Sequence, residues 1–139
     1  MAARQKTLAV LVEDLYQDLE VWYPVYRFRE AGIKVITVGT GREKTYKGKF
    51  GIPVGEDKSA SQVSPDEIDG ILIPGGYAPD ILRRYAAVLE LVKKCYDQNK
   101  IVASICHGAW VLVSAKACQG RNATCFSAIK DDLINAGAN

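Results

Sequence analysis

A chain of 139 residues can bury one core and is too short for two, so a single domain spanning 1–139 is expected. Hydrophobic residues make up 48% and charged residues 24%, ordinary values for a soluble globular protein; the formal net charge is +2 with both signs mixed along the chain. No basic block argues for nucleic acid or an anionic membrane, and no apolar run reaches the roughly 18 residues that span a bilayer.

Met1 to Thr7 is charged but is not followed by an apolar segment and a small-residue cleavage site, so it does not read as a signal peptide. Thr7 to Val12 is a continuous apolar run, the pattern of a parallel strand covered on both faces. Asp18 to Ala31 carries Leu19, Trp22, Tyr23, Tyr26 and Phe28 at roughly helical spacing, with Pro24 read as part of the first turn and Gly32 as the C-cap. Ile33 to Val38 predicts a second strand. The glycine- and lysine-rich stretch from Gly39 to Gly55 predicts a short hairpin, with Thr45 to Tyr46 and Ile52 to Val54 as its arms. Ser64-Pro65-Asp66-Glu67 has the form of a helix start, with Ser64 as N-cap and Glu67 closing a capping box.

Ile71 to Ile73 predicts another buried strand, stopped by Pro74-Gly75-Gly76. Pro79 to Asn99 predicts one long helix with Leu82, Leu89, Val92 and Tyr96 near one face. Ile101 to Ile105 predicts a strand and Ala109 to Ala117 a helix; Asn122 to Phe126 reads as a further strand and Asp131 to Asn135 as part of a short helix. Strands alternating with helices imply an α/β sandwich with a mostly parallel central sheet. In such sheets chemistry gathers beyond the carboxyl ends of the strands, where Glu13 to Glu20, Pro74 to Asp80 and Cys106-His107-Gly108 fall.

Four cysteines, Cys95, Cys106, Cys118 and Cys125, include no Cys-x-x-Cys pair, and His107 is the sole histidine. A structural zinc site needs about four clustered ligands, so no metal is expected. Without a secretory signal, four free thiols in a reducing cytoplasm are expected. Cys106 stands where a strand breaks into a helix, a turn that lifts a side chain above the sheet. Cys95, Cys118 and Cys125 have no neighbouring base and read as packing residues. His107 is the candidate base or thiolate partner. The amides of Gly75 and Gly76 could form one half of an oxyanion hole, with the His107 N–H as the other. A carboxylate beside Cys106 could be Glu20, Glu13 or Asp18, and the residues alone do not choose.

Leu19-Glu20 with Pro24, Leu72-Ile73-Pro74-Gly75-Gly76, Ala78-Pro79-Asp80, Ile105-Cys106-His107-Gly108 and the run from Ile129 to Gly137 resemble the PfpI branch of the DJ-1/PfpI family. That family belongs to the class I glutamine amidotransferase-like superfamily. The resemblance covers essentially the whole chain. It implies a flavodoxin-like sandwich with Cys106 as nucleophile, Glu20 as the buried glutamate bonded to the sulfur, and His107 as the following histidine. Gly76 and His107 match the oxyanion-hole amides. Asp80 matches a position often held by glutamate and donated across a subunit interface, which would require at least a dimer. Family members usually continue beyond the Asn-Ala-Gly segment with a further strand and helix.

The resemblance implies a cysteine-dependent enzyme that needs no cofactor. The favoured reaction converts small aldehydes such as methylglyoxal through a hemithioacetal, with deglycation by the same chemistry. The alternatives are an intracellular cysteine peptidase and a redox sensor or chaperone without turnover. The expected partners are a small aldehyde or peptide and further copies of the chain, with no nucleic acid and no membrane.

Overall fold

A computed structural model describes residues 4–139; Met1 to Ala3, the start of the stretch read against a signal peptide, lie outside the described residues. Five strands form one parallel sheet: β1 (Thr7–Leu11), β2 (Lys34–Gly39), β5 (Lys58–Ser59), β6 (Gly70–Ile73) and β7 (Ile101–Ser104). Their order across the sheet is β5-β2-β1-β6-β7, and β3 (Thr45–Lys47) and β4 (Pro53–Gly55) make a separate antiparallel hairpin. Helices α1 (Asp18–Glu30), α2 (Ala78–Leu82), α3 (Ala86–Asp97), α4 (Ala109–Ser114) and α5 (Lys130–Asn135) complete the framework. This is the α/β sandwich that the strand–helix alternation predicts, in the flavodoxin-like form that the resemblance implies.

Every residue of β1 is buried, as a central parallel strand requires. From β1 the chain builds outward through β2 and β5, then returns to lay β6 on the other side of β1. The strand order therefore reverses between β1 and β6, and a crevice opens beyond their carboxyl ends. Among the described residues no helix is long and apolar enough to cross a membrane.

Several local expectations are corrected. Pro24 is the seventh residue of α1, not part of its first turn, so it lies inside the helix. The aromatic spacing marks the helix but not its buried face: Val21 and Val25 are buried, whereas Leu19 and Tyr23 are 69% and 70% exposed. Ser64 begins only a single 3-10 turn, Pro65–Glu67; its hydroxyl accepts from Asp66 N–H, while Glu67 pairs with Lys58 instead of closing a capping box.

The long helix from Pro79 to Asn99 is two helices. The bonds from Arg84 N–H to Ile81 and from Tyr85 N–H to Leu82 tighten the end of α2, and Tyr85 is extended before α3 begins. No glycine or proline stands between Arg83 and Tyr85 to signal the break. Asn122 to Phe126 is not a strand. It spends Ala123 N–H on Asn139 and Phe126 N–H on the Cys106 carbonyl instead of on a ladder.

Candidate active site

Cys106 follows β7 and opens a 3-10 turn, Cys106–Gly108, that leads into α4. Its φ is +58°, in the left-handed region that costs a residue with a Cβ of order 1–3 kcal/mol. Surrounding contacts hold the strain. Ile105 N–H donates to Ile73 C=O at 3.1 Å, and Phe126 N–H donates to the Cys106 carbonyl at 3.3 Å. Gly108 lets the turn press on the end of β6, since a Cβ there would sit 2.4 Å from the Ile73 carbonyl oxygen. The cysteine side chain is thereby set at the strand ends, half-buried.

His107 Nδ1 lies 3.3 Å from Cys106 Sγ. The adjacent side chains do meet, because the positive φ turns the cysteine back toward the ring. The imidazole is itself wedged: its centroid is 5.2 Å from Trp110, edge-on, and 4.9 Å from Phe126. Trp110 is fixed in turn by a bond from its indole N–H to Asp132 at 2.7 Å and by the Arg83 guanidinium 5.3 Å over its ring. Phe126 has no signal in the sequence that ties it to His107, because a residue nineteen positions away meets the ring only through the fold.

Of the three candidate carboxylates, Glu20 is the one at the cysteine. Gly75 N–H donates to Glu20 Oε2 at 2.7 Å. A Cβ built on Gly75 would lie 2.7 Å from that oxygen, 2.6 Å from Cys106 Cβ and 2.9 Å from Sγ, so both side chains rest on one bare glycine. The Gly75 amide is therefore spent on the carboxylate, which corrects its expected place among the oxyanion donors. Among the described residues the carboxylate bonds Gly75 and not the sulfur.

Glu13 and Asp18 are buried elsewhere. Glu13 accepts from Asp14 N–H, Thr40 and Arg42; Asp18 accepts from Phe50 N–H and Ile52 N–H in the hairpin turn.

Gly76 has φ +76° and stands in a bridge with Tyr16. Gln17 N–H donates to Gly75 C=O and Tyr77 N–H to Leu15 C=O, so residues 15–17 strap the 75–77 loop on both sides. A Cβ on Gly76 would strike the Leu15 carbonyl oxygen at 2.4 Å, so only glycine fits there. Among the described residues the Gly76 and His107 amides donate to no protein acceptor. Asp80, in α2, pairs with Arg84, which lies just beyond the end of that helix. Among the described residues no hydrogen bond joins Asp80 to His107.

Beside Glu20 a groove of about 430 Å³ runs between α1 and β7, lined by Leu19, Tyr23, Leu72, Ala103 and Ile105. Cys95 and Cys118 are buried away from this site, and burial pushes both thiols above their ordinary range.

The family model described as the DJ-1/PfpI family matches residues 6–139. A deglycase of Pyrococcus abyssi is 41% identical over 128 residues, which are 92% of this chain and 76% of that protein. Protein/nucleic acid deglycase 2 of Escherichia coli is 41% identical over 134 residues, 96% of this chain and 78% of that protein. Among solved structures, a ThiJ/PfpI domain protein from Brachyspira murdochii is 30% identical with a TM-score of 0.88, over 96% of this chain and 77% of that one. A two-domain protein from Anabaena variabilis, with DJ-1/ThiJ/PfpI-like and ferritin-like domains, is 36% identical with a TM-score of 0.94. The match covers 97% of this chain and 39% of that one. By the family match over nearly its whole length and these relatives, the chain belongs to the DJ-1/PfpI family.

Proposed function

We propose that the protein is a cysteine-dependent enzyme acting on small reactive aldehydes, as a glutathione-independent glyoxalase and protein deglycase. The single observation that carries the reading is the 3.3 Å approach of His107 Nδ1 to a Cys106 sulfur held at positive φ. The names of the deglycase relatives support the substrate class.

Cys106 Sγ gives up its proton to His107 and attacks the aldehyde carbon of methylglyoxal. The carbonyl π pair moves onto oxygen, where the unspent amides of Gly76 and His107 donate to it. Protonation yields the hemithioacetal. Its C1 proton is removed and returned at C2 through an enediol, which leaves a lactoyl thioester on the sulfur. Water then attacks the thioester carbon, and the C–S bond breaks to release lactate and restore the thiol. Glu20 carries protons beside the sulfur, held by the Gly75 amide. A glycated amine would follow the same path once its hemiaminal opens to the aldehyde.

Asp80 is paired with Arg84 in its own chain, so its part in orienting His107 is read as that of a residue donated by a second copy. Cytoplasmic location and self-association belong to the same reading.

The test is methylglyoxal consumption by wild type and by Cys106→Ala, with lactate followed as product. Loss of more than about a hundredfold in the variant is expected for removal of a nucleophile. Full consumption by Cys106→Ala would overturn the reading. An acylation burst on a chromogenic peptide without lactate formation would replace it with peptidase chemistry.

A further inference from the structure

The chemistry above leaves unused a buried carboxylate, Glu13, and the arginine that covers it. Glu13 has no exposed side-chain surface and lies two residues beyond the end of β1. Its Oε1 accepts from Arg42 at 2.6 Å and from Asp14 N–H at 2.8 Å, and Oε2 accepts from the Thr40 hydroxyl at 2.5 Å. The same guanidinium nitrogen reaches Asp14 Oδ2 at 2.6 Å, and Asp14 Oδ1 accepts from Lys47 N–H at 2.9 Å. Arg42 thus ties two successive carboxylates to the loop before β3. Directly beyond them stands Leu15, whose φ of +62° is a strained value for a leucine and whose side chain is exposed.

No packing of the Leu15 side chain explains that strain; its backbone does. Leu15 N–H donates to Lys47 C=O at 2.7 Å, while Leu15 C=O accepts from Tyr77 N–H at 2.9 Å. The residue is a relay: the hairpin holds one side of its peptide, and the glycine loop of the active site holds the other. Lys49 N–H on Tyr16 C=O and the Tyr16 hydroxyl on Ile52 C=O repeat the stitch one residue on.

We propose that Glu13 and Arg42 are positioning residues that hold the Leu15–Gln17 strap and so aim the Gly76 N–H at the developing oxyanion. This rests on the oxyanion role given to Gly76 above. A donor displaced by a fraction of an ångström loses much of its value, because misplacement by about 1 Å is enough to cost on the order of a hundredfold in rate. The sulfur lies on a different segment, the turn after β7, and among the described residues makes no hydrogen bond to the strap.

The test compares wild type with Arg42→Ala, Arg42→Lys and Glu13→Gln. Three readouts are used: methylglyoxal kinetics, the rate of Cys106 alkylation by iodoacetamide, and hydrogen exchange of single amides by NMR. Alkylation needs the thiolate but no oxyanion donor, so it separates the two parts of the site. In Arg42→Ala, kcat should fall on the order of tenfold to a hundredfold with KM within about twofold. Exchange at the Tyr77 amide should quicken at least about tenfold as its bond to Leu15 loosens. Alkylation of Cys106 should stay within about twofold, and Arg42→Lys should recover part of kcat.

Unchanged exchange at Tyr77 in Arg42→Ala would overturn the proposal whatever the activity. So would alkylation falling in step with kcat, the mark of a general loss of structure. Should Arg42→Ala fail to fold, Thr40→Val, which removes one donor from Glu13, is read against the same criteria. If Cys106→Ala retains full turnover, the aldehyde chemistry is refuted, and Tyr77 exchange still decides whether the strap is braced by Arg42.

Discussion

Gly75 has no side chain, and the site is built on that fact. Glu20 and Cys106 both press on the space a Cβ would fill, at 2.7 Å and 2.6 Å. A methyl group there must push the carboxylate or the thiol aside. Gly75→Ala should therefore lower kcat/KM on methylglyoxal on the order of a hundredfold and cost about 1–3 kcal/mol in urea unfolding, the usual range for overpacking. Retention of wild-type turnover would show that neither group had to move. The remaining cysteines divide by exposure. Cys95 and Cys118 are buried, and desolvation raises both thiols; Lys100 offsets only part of this at Cys95. Iodoacetamide on the native protein at pH 7 should modify Cys106 while leaving Cys95 and Cys118 untouched, as read by peptide mass spectrometry. Modification of either buried thiol before Cys106 would contradict the assignment.

At the scale of elements, the strap and hairpin form an electrostatic unit whose strength depends on pH. Desolvation works against the Asp14 charge, but the bond from Lys47 N–H and the Arg42 guanidinium outweigh it and hold the carboxyl below its ordinary value of 3.8. A carboxyl lowered on folding adds stability that is fully present above its unfolded pKa and drains away as pH falls through the folded one. The wild type should thus lose more stability than Asp14→Asn between pH 4 and pH 2, measured as the shift in urea midpoint. Equal shifts would remove Asp14 from the account.

This unit also shows what could be read in advance. The hairpin arms, the parallel strands and the turn at Cys106 follow from apolar runs and glycine punctuation, signals local to a few residues. The choice of Glu20 over Glu13 and Asp18 does not, because it depends on which carboxylate meets the Gly75 amide 55 residues away. Nor does the break at Arg83 to Tyr85, which is made by tightened backbone bonds without glycine or proline. The strained Leu15 was invisible for the same reason: its partners, Lys47 and Tyr77, lie on two other segments.

Across the whole molecule the sheet is unequal at its two ends. β5 is two residues long and bounded by a 3-10 turn, a short and harmless edge. β7 ends the other side with Ile-Val-Ala-Ser followed by Ile105, and carries no charge, proline or bulge. Ile101 is 71% exposed and Ile105 48% exposed. The apolar groove beside α1 flanks this strand on one face, and a second groove of about 490 Å³, touching Val102, Leu112 and Ala123, flanks it on the other. Such an edge is a template for pairing with another strand. Ile101→Lys should lower concentration-dependent light scattering of the 139-residue chain without altering methylglyoxal turnover per site. Scattering that does not respond would show that this edge does not pair with another strand.

Pro24 has a consequence that reaches from its helix to the chemistry. Its ring nitrogen has no hydrogen, so the backbone carbonyl four residues earlier, that of Glu20, receives no donor from the helix. The turn bearing the carboxylate, one helical bond short, is also anchored at its front end by Gln17, whose carbonyl and side chain both accept from Glu20 N–H, and by the glycine amide opposite. Unwinding of the latter half of α1 would travel only as far as the proline, leaving the acid group docked while the rest of the rod frays.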